Sequence, residues 1–150
     1  MNIPVSEPKL FLVFGLVGPI GTNLEMAGAH VKKALELTGY QVSSIRLSKE
    51  VIPPIATKLK IKATEYSTES PEAKRYEDLM KQGTGIRTKL DSGEALAVAC
   101  IDIIHKDSQE HNSKSPRAVI LHSLKHPKEV TFLRRIYGLR FSVIACSLPR

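Results

Sequence analysis

Tryptophan is missing from this chain, aromatic residues of every kind make up 5% of it, and two cysteines occur among 150 residues. So few aromatics leave no platform on which the bases of a single-stranded nucleic acid could stack. No apolar run approaches the roughly 20 residues that a membrane-spanning helix needs. The opening MNIPVSEPKL carries neither a basic n-region nor an apolar h-region, so secretion is not expected. Cys100 and Cys146 both lie in apolar runs. They read as buried thiols of a reducing compartment, and the expected location is cytoplasmic.

Several catalytic chemistries lack their residues. A zinc site of the nucleobase-deaminase type needs H-x-E followed later by P-C-x-x-C. Here His105 is followed by Lys-Asp, His111 by Asn-Ser and His126 by Pro-Lys, while each cysteine stands alone. No metal site of that kind can be assembled, and no metal ligand is assigned. The G-x-S-x-G of a serine nucleophile is also missing.

What is present is an ordinary globular composition, 42% hydrophobic and 25% charged, with a net charge of +7. One domain spanning residues 1–150 fits this length. The basic residues are scattered: Lys32 and Lys33, three lysines between 58 and 62, Arg87 and Lys89, Lys125 and Lys128, then Arg134, Arg135 and Arg140. Such a surface suits phosphate-bearing ligands, but it is equally what a solvated basic face looks like.

Residues 9–25, KLFLVFGLVGPIGTNLE, run from an apolar strand through a glycine-rich turn into a helix. A phosphate-binding loop has this layout, because the glycines let the backbone curl and the helix start points N–H groups at an anion. Gly15, Gly18, Gly21, Thr22 and Asn23 are therefore the candidate nucleotide-binding residues of the loop, with Thr22 or Asn23 as helix cap. The same residues would also serve a plain tight turn. The chemistry of a working ATP loop is missing. With Gly18 as the first glycine of G-x-x-x-x-G-K-[ST], Asn23 replaces the second, Leu24 the lysine and Glu25 the magnesium-binding hydroxyl. The run AVIL continues into His-Ser-Leu-Lys, so the strand end also lacks the acid that would hold magnesium-bound water. No catalytic residue is assigned.

Buried parallel strands are expected at residues 10–17, 117–121 and 140–146, and a more alternating strand, suited to an edge, at 40–47. Helices are expected at 22–38, at 69–90 with a break near Gly83 and Gly85, at 93–106 and at 126–137. Pro53 and Pro54 argue against a plain helix in 52–67, and 108–116 reads as a polar loop. The fold class is α/β, a three-layer parallel sheet with flanking helices. In such sheets ligands sit beyond the carboxyl ends of the strands. That places Arg46, Lys125 and His126 where they could meet a phosphate, with Arg87 a fourth cation. The last strand ends close to the end of the chain, so the sheet is expected to be incomplete.

The segments FGLVGPIGTNLE, GYQVSSIRLS, YEDLMKQGTGIR, ALAVACIDII and HSLKHPKEVTFLRRIYGLRFSVIA follow one another along nearly the whole chain. In that order they resemble the N-terminal domain of anti-phage deoxycytidine-nucleotide (dCTP/dCMP) deaminases, SLKHPKEV…LRRIYG being the more specific piece. The resemblance implies a P-loop-kinase-like domain that, in the family, precedes a zinc-dependent deaminase domain. It implies a nucleotide-sensing or regulatory role for this part, with zinc expected only in the deaminase domain and no cofactor here. A nucleotide ligand or a regulatory RNA is the expected partner, no membrane is, and a homo-oligomer is left open. Two other classes stay open: a small nucleotide kinase with an altered loop, and a non-catalytic interaction module. Gly18→Val or Gly21→Asp is expected to abolish a nucleotide response and leave the fold largely intact.

Overall fold

The computed structural model describes residues 10–62, 71–110 and 115–147. In chain order it contains β1 (Phe11–Val17), α1 (Leu24–Leu37), β2 (Gln41–Arg46), a π-helical turn (Leu47–Val51) and α2 (Ile52–Lys58). These are followed by α3 (Pro71–Lys89), α4 (Ala95–Glu110), β3 (Arg117–His122), α5 (Pro127–Tyr137), a 3-10 turn (Gly138–Arg140) and β4 (Phe141–Ala145).

The four strands form one all-parallel sheet in the order β2-β3-β1-β4. Because side chains alternate across a strand, each strand feeds two layers. One face presents Val13, Ile45, Val119, Leu121 and Phe141 to the large core, which α2 to α5 complete with residues such as Ala56, Ile86, Leu96, Cys100 and Leu133. The opposite face presents Leu16 and Ile120 to Leu24 and Val31 of α1. The result is a three-layer α/β fold, as the strand–helix alternation implies. Strand β3 is buried along its whole length, as expected for the inner strand between β2 and β1.

Four expectations need correction. Pro53 and Pro54 do not prevent a helix: they occupy the first turn of α2, where a missing N–H costs nothing because those donors have no intrahelical partner. Helix α3 does not break at its glycines but runs through Gly83 and Gly85. Space explains Gly85, since a Cβ there would lie 3.2 Å from Ile61 Cγ2. The polar stretch after Lys106 begins as helix, because α4 continues to Glu110; residues 111–114 and 63–70 lie outside the described residues. The strand at 140–146 lies at the sheet edge opposite β2 and is half-exposed.

Candidate functional site at the carboxyl ends of β1 and β3

Strand β1 leads through α1 to β2 on one side of the sheet, whereas β3 leads through α5 to β4 on the other. The two connections diverge from neighbouring strands, and such a point leaves a crevice at the strand ends where ligands bind in open α/β sheets. Residues 18–23 follow β1 here and residues 123–126 follow β3.

The five loop candidates do different things. Gly15 lies inside β1, not in the turn, and its lack of a side chain admits Leu124: a Cβ would sit 2.6 Å from Leu124 Cδ1. Gly18 begins the turn, and a Cβ there would meet the Cys146 carbonyl oxygen at 3.0 Å and Leu24 at 3.1 Å. Gly18→Val therefore disturbs packing as well as the loop, contrary to the expectation of an intact fold. Gly21 has φ +90° with nothing within 4 Å of its open side, so it is the residue that turns the chain. Asn23, rather than Thr22, caps α1, its Oδ1 accepting from the Met26 N–H at 2.9 Å. The Thr22 hydroxyl oxygen is enclosed and has no hydrogen-bond partner among the described residues.

Across the crevice, Lys125 reaches back over the loop. Its Nζ donates to the Gly18 carbonyl at 2.7 Å, and burial pulls its pKa below the ordinary lysine value. Among the described residues Lys125 is the one of the four proposed cations shown bonded to the loop. Arg46 ends β2 and pairs with Glu25 at 2.6 Å, on the solvent side of α1. Arg87 turns inward from the last turn of α3 and donates to Glu129 Oε1 through Nε at 3.1 Å and Nη2 at 2.5 Å. His126 caps α5, its Nδ1 accepting from the Lys128 N–H at 3.2 Å. A depression of about 210 Å³, lined by Val17, Leu124, Lys125, His126, Pro127 and Val130, lies beside these loops.

Two residues important to the site escaped the sequence reading. Glu129 is fully buried, and its Oε2 accepts from the backbone N–H groups of Lys125 and His126 at 3.0 and 3.1 Å. The signal for it is the reciprocal cap written into H-P-K-E, with an acid three residues after the cap. Glu129 also acts at a distance: burial first, then the charges of Glu129 and Glu50, push the Cys100 thiol up to about 12. Gly28 is the second. Its missing side chain admits the His122 ring, whose Cε1 would lie 2.3 Å from a Cβ. His122 ends β3 beside Arg46, and burial, then Arg46, hold its pKa below 6.5.

The arrangement offers an anion a glycine turn, a helix start and one ammonium. It offers little for phosphoryl transfer. Among the described residues the nearby carboxylates are committed, Glu25 to Arg46, Glu50 to the Arg46 N–H, and Glu129 to Arg87 and two amides. Among the described residues no group of three or more His, Cys, Asp or Glu could hold a metal ion, and no helix is long and apolar enough to cross a membrane. No protein-family model matches the chain, and a search of curated proteins finds no match.

Proposed function

We propose that this domain binds the phosphate of a nucleotide at the β1–α1 loop and acts as a binding or regulatory module, not as a phosphoryl-transfer enzyme. The observation that carries this reading is Lys125 Nζ, held 2.7 Å from the Gly18 carbonyl at the point where the chain connections diverge. The loop itself lacks a lysine, and Lys125 supplies that charge from the neighbouring strand end. An arriving phosphate exchanges a carbonyl for an anionic acceptor, which makes the stronger, charge-assisted hydrogen bond. The Thr22 hydroxyl is enclosed and unpartnered in the loop, so it gains a partner only if the loop opens as the phosphate arrives. The choice of a deoxycytidine nucleotide, and a regulatory place ahead of a deaminase domain, rest on the resemblance of SLKHPKEV…LRRIYG and the loop to the anti-phage deaminase family.

A thermal-shift panel of dCTP, dCMP, ATP and GTP tests this. A ligand at about 100 times its Kd stabilises by about 2.7 kcal/mol. For a domain of this size that raises Tm by roughly 5–10 °C. Gly21→Asp puts a carboxylate on the loop facing open space but at a φ of +90° that strains any side chain, so the shift, which it is expected to remove, is read only after circular dichroism shows the variant folded. No response to any nucleotide, or a full response in the variant, contradicts the reading.

A further inference from the structure

Glu129 receives four hydrogen bonds on two oxygens, two from the guanidinium of Arg87 and two from consecutive backbone amides of the β3–α5 loop. It has no exposure to solvent, and the Arg87 side chain is 15% exposed. A carboxylate taken fully out of water is tolerable only when its lone pairs are filled in this way. The filling has a geometric consequence. The amides it grips belong to Lys125 and His126, and Lys125 is the residue whose ammonium crosses the crevice to Gly18. The same loop is shaped further by Ser123, held at φ +73°. Gly93 leaves room for it, since a Cβ there would lie 2.6 Å from Lys128 Cδ and 2.8 Å from His126 Cε1.

We infer that Glu129 is a positioning residue: anchored to α3 through Arg87, it fixes the backbone of Lys125 so that the ammonium sits over the β1–α1 loop. Helix α3 and the loop thereby belong to one hydrogen-bonded chain, running from Arg87 to the Glu129 carboxylate, to the Lys125 backbone, to its Nζ and to the Gly18 carbonyl. A displacement of the end of α3 reaches the loop along this path. The inference deepens the phosphate reading by naming what regulates that site, yet its test needs no nucleotide, so the two can fail separately.

The probe is acylation of lysines by an N-hydroxysuccinimide ester, followed residue by residue by mass spectrometry on the whole chain without ligand. Lys125, Lys33 and Lys58 are all exposed, so the two lysines without a contact to the loop serve as references for the rate at Lys125. In Glu129→Gln the rate at Lys125 rises at least about threefold while Lys33 and Lys58 keep theirs, as expected for loss of a charge-assisted anchor. Arg87→Lys, which keeps the cation, gives an intermediate rate. General loosening of the fold would raise all three lysines together, and that result, or an unchanged Lys125 in a folded variant, overturns the inference. Should Glu129→Gln fail to fold by circular dichroism, Arg87→Gln is read in the same way. Hydrogen exchange gives a second reading: amides in 18–24 exchange faster in Glu129→Gln, as they do in Lys125→Met, which removes the ammonium directly. Unaltered exchange there also overturns it.

Discussion

His122 shows how one side chain links packing to pH. Its ring fills the space left by Gly28, 7% exposed, with Arg46 beside it and Glu25 and Glu50 as the acids that act on it. Burial disfavours the charged form, so the folded protein binds the proton less readily than the unfolded chain, whose histidine titrates near 6.5. Below that value the unfolded state takes up more protons and gains relative to the fold. Stability is therefore expected to fall as pH drops from 6.5 through the lower folded pKa, and to gain nothing from this group above about pH 7.5. Urea denaturation at about pH 7.5, 6 and 5 should show a shallower decline in His122→Gln than in wild type. Equal slopes would mean that the ring's protonation is not what the acid limb reports. Glu129 is the contrasting case at this scale. Nothing in H-P-K-E alone says that the acid is buried; that depends on Arg87, 42 residues earlier in the chain. A partner so remote leaves no local signature, which is why Arg87 reads from sequence as a free cation.

Among the elements, α1 has a well-defined start. Gly21 turns the backbone, Asn23 caps, and Leu24 enters the core between the sheet and the helix. Asn23→Ala removes the acceptor for the Met26 N–H and should cost about 1 kcal/mol. Equilibrium urea unfolding would show this as a lower midpoint with an unchanged slope; an unchanged midpoint would mean that the cap is not a stabilising contact. The main helices and strands were legible because their apolar periods are long and because glycines close α1 and α5, Gly39 just past the Thr38 cap and Gly138 as the cap itself. Helix α2 was not, since two prolines look like a breaker unless their place in the first turn is known. The glycines of α3 misled for a related reason. One makes room for Ile61, a requirement of packing that no local pattern expresses.

At the scale of the whole molecule, the sheet order decides where chemistry can occur. The alternation of strands and helices was enough to give a parallel three-layer fold, but not the order β2-β3-β1-β4. That order makes β1 and β3 neighbours and brings the glycine turn within reach of Lys125, 107 residues away in sequence. The strand–turn–helix layout of residues 11–37 and the place of Lys125 just past β3 were thus legible in the sequence. The pairing of Arg46 with Glu25 and of Arg87 with Glu129 needed the third dimension. Amide-resolved NMR of the whole chain, titrated with dCTP and then with dCMP, tests phosphate binding most directly. Saturable shifts centred on residues 18–23 and the Lys125 amide are expected. Shifts centred elsewhere, or none with either nucleotide, would contradict phosphate binding at the β1–α1 loop.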